Sequence, residues 1–172
     1  KRVYLISGNH EFWVTKFNTE SLIKKIVSKY DNIEYLNNSK TFLDNYTILG
    51  TTLWQKHYSN LHKKSVEFLK SNNSTKNPTI ILTHYLPSYK LIVPKYLEKE
   101  YDGIRDRYAT DLEYLMTDNV KVWLCGHSHS EIELYIGNTL CGINAVKFDG
   151  KYEKYEKIYI DNRTKTKNRY CY

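Results

Sequence analysis

Apolar residues along this chain fall into short runs separated by polar punctuation. Residues 3–6 form one such run, ending at Ser7-Gly8, and read as a buried strand followed by a turn. Asn18, Thr19, Glu20 and Ser21 then offer helix caps ahead of Leu22, Ile23, Ile26 and Val27, which share one helical face. A short strand is predicted over 33–36. Residues 41–43 and 46–49 flank Asp44-Asn45 as a hairpin with a two-residue turn. Helical spacing resumes over 58–70 through Leu61, Val66 and Leu69, and the polar stretch 72–78 is the clearest loop. Residues 79–82 form the next buried strand. Residues 106–116 read as a helix with Leu112, Leu115 and Met116 facing inward, and 120–125 as another strand. Residues 132–136 and 139–143 flank Gly137-Asn138, a strong hairpin signal. Strands alternating with helices predict an α/β fold whose sheet is covered by helices.

Composition narrows the class further. At 172 residues, 41% hydrophobic and 26% charged, the chain suits one globular domain and excludes wholesale disorder. No apolar run approaches the roughly 18 residues of a membrane span, so no membrane partner is expected. The 17 Tyr, together with abundant Lys and Asn, reflect residue types with AT-rich codons and do not mark aromatic recognition surfaces. Cys125, Cys141 and Cys171 form no C-x-x-C pair and are odd in number. That pattern argues against a disulfide framework and a Cys-based zinc finger, and points to a reducing, cytoplasmic compartment. The net charge of +7 is concentrated late in the chain, so residues 150–172 read as a basic C-terminal tail. A basic tail can attract nucleic acid. A solvated, poorly ordered terminus is the stronger reading, so nucleic acid ranks last among the partners. The opening Lys1-Arg2-Val3-Tyr4 already reads as a strand, so 1–172 is expected to be a single, N-terminally truncated domain.

Candidate chemistry lies in the histidines. His10, His84, His127 and His129 each follow closely on an apolar strand, while His57 and His62 lack that context and read as surface residues. In α/β sheets ligands gather beyond the carboxyl ends of strands. If the three strands share one sheet, four imidazoles and the Asn9 amide converge on one edge. Imidazole is the commonest protein metal ligand, and an amide oxygen can join a nitrogen-rich site. Gly8 and Gly126 precede these residues and permit the turns that aim them. Trp13, Trp54 and Trp123 read as packing residues. Tyr85, Lys90, Arg105, Arg107 and Tyr108 fall where loops could reach a substrate, and Arg suits phosphate through its fork of donors.

Gly8-Asn9-His10-Glu11, Thr83-His84 with Pro87 following, and Gly126-His127-Ser128-His129 resemble, in order and spacing, the last three of five motifs in calcineurin-like metallophosphoesterases. Gly50-Thr51-Thr52-Leu53-Trp54 and the hairpin after His129 resemble one bacterial-type branch of that family. The resemblance implies two β-sheets packed face to face with helices outside, here lacking N-terminal strands. It implies that Asn9, His84 and His127 bind one divalent ion and His129 a second. His10 would contact the phosphate and protonate the leaving oxygen, a role imidazole suits because its free pKa of about 6.5 lies near working pH. Glu11 would have a structural duty. The implied cofactors are two divalent ions, manganese, iron or zinc, activating a bridging hydroxide against a phosphate-ester substrate.

The family's first two motifs, Asp-x-His and Gly-Asp, would lie upstream of Gly8-Asn9-His10. The eight residues before Asn9 hold neither Asp nor His. This chain alone is therefore expected to hold at most one ion well and to hydrolyse esters poorly. The alternative reading is a non-catalytic metal-binding remnant or scaffold module.

Overall fold

The computed structural model describes residues 1–14, 18–73, 76–94 and 103–145. Its strands form two sheets. In the smaller, β1 (Val3–Leu5) pairs in parallel with β2 (Ile33–Tyr35). The larger contains β3 (Ser39–Leu43), β4 (Tyr46–Thr51), β5 (Thr79–Thr83), β6 (Val120–Cys125), β7 (Glu131–Ile136) and β8 (Thr139–Asn144), in the order β3-β4-β5-β6-β8-β7. Strands β4, β5, β6 and β8 run parallel, and the hairpin partners β3 and β7 close the edges antiparallel. Parallel strands are covered on both faces, which is why β5 and β6 read as nearly continuous apolar runs. Both expected hairpins form, with Asp44 and Gly137 at positive φ in their turns.

Each face of the large sheet has its own core. On one, Leu49, Ile81 and Trp123 pack against Leu53, Leu86, Leu91, Leu112 and Leu115, and against Leu69 of helix α3 (Ser59–Asn72). On the other, Ile48, Ile80 and Val122 pack against Leu36, with Tyr4 and Ile6 from the β1 strip. The two layers approach closely at Gly50, where an added Cβ would lie 2.3 Å from Leu36 Cβ.

The remaining helices are α1 (Glu11–Val14), α2 (Thr19–Val27) and α4 (Arg105–Tyr108). Two expectations change here. The face of α2 predicted to be buried is only partly so: Leu22 and Ile26 are 45% and 47% exposed, because α2 rests on the narrow two-stranded sheet. The single helix predicted over 106–116 is broken. Leu86 donates to the Tyr108 carbonyl and accepts from Thr110 N–H, drawing Ala109 into a bridge with the loop after β5. A one-turn 3-10 helix, Glu113–Leu115, resumes beyond it. The basic tail 150–172 and Cys171 lie outside the described residues. No helix among the described residues is long and apolar enough to cross a membrane.

Candidate functional site

The carboxyl ends of β4, β5 and β6 share one edge of the large sheet. The Thr52 hydroxyl, just past β4, donates to the Ser7 carbonyl at 3.0 Å and holds the turn after β1 against that edge. Asn9 thereby meets His84, the first residue after β5, with Asn9 Oδ1 2.7 Å from His84 Nε2. His127, in the loop after β6, presents Nδ1 3.1 Å from the same His84 nitrogen. Three sequence-distant side chains thus converge on one point.

The surrounding backbone explains how. An added Cβ at Gly8 would lie 2.8 Å from His84 Cε1 and 2.9 Å from His84 Nδ1, so the imidazole rests directly on that main chain. Glu11 accepts the Gly8 N–H at 2.8 Å, the structural duty expected of it. The Trp123 indole N–H donates to Thr83 Oγ1 at 2.9 Å, and the Thr83 hydroxyl donates to the Tyr85 carbonyl at 2.8 Å, fixing the chain on either side of His84. Gly126 N–H donates to the His84 carbonyl at 3.0 Å and joins the loops after β5 and β6. His127 and His129 have φ of 63° and 49°, left-handed conformations that are uncommon outside glycine and cluster at functional sites.

Electrostatics make two of the donors neutral. Burial, reinforced by the charges of His127, His10 and His129, lowers the His84 pKa from 6.5 to about 3. Burial also lowers His127 to about 4, with the Arg107 carbonyl opposing the shift and His129 and His10 adding to it. His127 Nε2 lies 3.2 Å from the Arg107 carbonyl oxygen, which can only accept. The hydrogen of neutral His127 therefore sits on Nε2, and Nδ1 keeps its lone pair facing the trio.

This donor set fits a cation. Two donor atoms about 2.1 Å from one ion and at right angles to each other are about 3 Å apart, close to the 2.7 and 3.1 Å separations here. Without a cation, the face of the trio has more acceptor lone pairs than hydrogens to share. Among the described residues no group of three or more His, Cys, Asp or Glu stands in a metal-holding arrangement, and the third donor of this trio is an amide oxygen. His10 and His129 lie around the trio within electrostatic range of both imidazoles.

Several neighbours depart from expectation. Trp13, read as a packing residue, is 63% exposed and stacks on the His10 ring at 3.8 Å between centroids. Its position three residues after His10 on one helical turn was the available signal. Trp54 and Trp123 are buried as expected. His62 is half-buried, and its Nδ1 bonds the Trp54 carbonyl rather than solvent. Tyr85 is buried with its ring 4.2 Å from that of His127, and Tyr108 approaches the same ring at 5.2 Å. Lys90 pairs with Glu113 at 2.7 Å. Arg107 reaches the site through its carbonyl, a contribution no side-chain reading could anticipate.

The structure thus combines a layered α/β fold with imidazole and amide groups brought together at adjacent strand ends. The family model for calcineurin-like phosphoesterase matches residues 1–131, and the chain belongs to that family. An uncharacterised protein of Acanthamoeba polyphaga mimivirus is 21% identical, over 93% of this chain and 73% of its own length. Among solved structures, phosphopantetheinyl hydrolase from Mycobacterium tuberculosis superposes with a TM-score of 0.64 at 11% identity, over 86% of this chain and 70% of that one. A Staphylococcus aureus protein described as a 5′-nucleotidase gives 0.50 at 11% identity, over 84% of this chain and 32% of that one. These likenesses are of fold. The chain spans about a third of the nucleotidase-like structure.

Proposed function

We propose that this chain carries part of the active site of a metal-dependent phosphoesterase acting on a phosphomonoester or phosphodiester. The observation that supports it is the placement of Asn9 Oδ1 at 2.7 Å and His127 Nδ1 at 3.1 Å from His84 Nε2. Family membership gives the reaction class, because calcineurin-like phosphoesterases act on phosphate esters. A divalent ion bound there, manganese, iron or zinc, would supply Lewis-acid activation of the phosphoryl group and of water.

The chain's own residues have distinct tasks. His84 and His127 stay neutral at physiological pH because burial disfavours their cations, so protons do not compete for their lone pairs. Asn9 adds an uncharged oxygen. His129 serves a second ion position together with ligands from outside this donor set. His10, backed by Trp13, stands at the rim where it can hold a proton for the departing ester oxygen.

The trio contains no carboxylate that could bridge a second ion, so we expect slow hydrolysis by this chain alone. The same feature favours a second reading, a metal-binding module without turnover. Calorimetric titration of the full chain with Mn²⁺ tests the first part. We expect one ion per chain, with affinity reduced at least tenfold in both Asn9→Ala and His84→Ala. Unchanged affinity in both would overturn the assignment of these ligands. Hydrolysis of p-nitrophenyl phosphate separates the readings: slow, Mn²⁺-dependent turnover that His10→Ala reduces supports the esterase, and metal binding with no turnover supports the module.

A further inference from the structure

A hydrogen-bonded cluster beside the site joins the loop after β4 to the connection between β5 and β6. Lys56 lies in the loop after β4, Tyr89 in the loop after β5, and Asp106 on α4. The Tyr89 hydroxyl donates to Asp106 Oδ1. The Lys56 ammonium donates to the Tyr89 hydroxyl at 3.1 Å and reaches Asp106 Oδ1 at 3.4 Å. The next residue along, Arg107, supplies the carbonyl facing His127 Nε2.

We propose that Asp106, clamped by Tyr89 and Lys56, is a positioning residue for His127: it seats α4 so that the Arg107 carbonyl accepts the Nε2 hydrogen and Nδ1 remains the donor that faces Asn9 and His84. The proposal rests on the phosphoesterase reading for its purpose but on geometry for its substance.

Two features of α4 require such a clamp. At four residues it is far too short to hold its own shape, since helix nucleation is unfavourable and isolated helices shorter than about 12–15 residues are marginal. Its C-terminal end is tethered by the Tyr108 carbonyl to Leu86 N–H at 3.1 Å, and by Thr110 N–H to the Leu86 carbonyl at 3.0 Å. Asp106, nearer its start, supplies a second tether, to Tyr89 and Lys56. A shift of α4 would carry the Arg107 carbonyl away from His127. The imidazole would then lose the partner that selects its tautomer, and the form with hydrogen on Nδ1 would turn a donor hydrogen toward any bound cation. Such hydrogen bonds to the far nitrogen of a ligating histidine usually govern affinity by 10–100-fold. The clamp spans about 50 residues of sequence, from Lys56 to Asp106, and ties the loop after β4 to the β5–β6 connection.

The test uses the full chain, metal-free, with long-range ¹⁵N NMR of the histidine rings, then Mn²⁺ titration of the same samples. In the wild-type chain His127 is expected as the Nε2–H tautomer. Asp106→Ala is expected to mix in the Nδ1–H form and to weaken Mn²⁺ binding about tenfold. Tyr89→Phe, which removes the clamp's central hydroxyl, should do the same more mildly. Asp106→Asn keeps an oxygen for the Tyr89 hydroxyl and should restore the wild-type tautomer. Lys90→Ala, which removes a separate ion pair with Glu113, should change neither readout. A wild-type tautomer in folded Asp106→Ala and Tyr89→Phe would overturn the proposal. If the wild-type chain binds no Mn²⁺, the metal reading fails, while the tautomer spectra still decide whether the clamp positions His127.

Discussion

At the scale of single residues, the site is built from side chains that burial keeps uncharged. Folded His84 and His127 titrate near 3 and 4, against 6.5 for an ordinary imidazole. Between those values the unfolded chain binds more protons than the folded one, so stability rises with pH through that window. The metal-free chain should be at full stability above about pH 6.5 and lose it as pH falls toward 4. Urea midpoints at about pH 7.5 and pH 5.5, a range in which ordinary carboxylates stay ionised, check this. The midpoint should be lower at the acid value, and the difference should shrink in His84→Asn. A flat profile would mean that the two imidazoles are solvated. Residue-scale reading of the sequence singled out Asn9, His10, His84, His127 and His129 as candidates, because each follows closely on an apolar run. It missed the exposed Trp13 beside His10, since an aromatic residue in a short amphipathic stretch usually packs inward.

At the scale of elements, the alternation of apolar runs was enough to locate the strands and both hairpins. The helices proved harder to read. The 106–116 periodicity is real, and Leu112 and Leu115 are buried, but the Leu86–Ala109 bridge interrupts helical hydrogen bonding after Tyr108. That is a tertiary contact across more than twenty residues, outside the reach of a local pattern. The α2 face failed differently: its spacing is helical, yet the two-stranded sheet beneath it is too narrow to bury Leu22 and Ile26. How the sheets stack yields a prediction. Gly50 lets β4 approach Leu36 so closely that a Cβ would sit 2.3 Å from Leu36 Cβ and 2.8 Å from its Cδ1. Gly50→Ala should force the layers apart and lower unfolding free energy by about 1–3 kcal/mol. Chemical denaturation measures it, and Leu36→Ala should not rescue it, because alanine keeps the Cβ that lies nearest. A Gly50→Ala chain as stable as wild type would show that the small sheet can slide at no cost.

At the scale of the whole molecule, the proposed site depends on loops after three neighbouring parallel strands and on the turn after β1. Which strands neighbour one another cannot be read from any one segment. The order β4-β5-β6 is what places His84 beside His127, and the Thr52–Ser7 hydrogen bond is what brings Asn9 to them. The sequence offered the candidate ligands, while the resemblance of three ordered motifs suggested their meeting place. The clamp of Lys56, Tyr89 and Asp106 left no motif, because its members are far apart in sequence and act through a backbone carbonyl. The central claim is that Asn9, His84 and His127 share one divalent cation. Anomalous diffraction from crystals of the full chain grown with Mn²⁺ addresses it most directly. The account predicts a manganese peak within about 2.0–2.4 Å of Asn9 Oδ1, His84 Nε2 and His127 Nδ1 together. Saturating Mn²⁺ with no peak there, or a peak bound elsewhere while the three side chains keep their contacts, would contradict it.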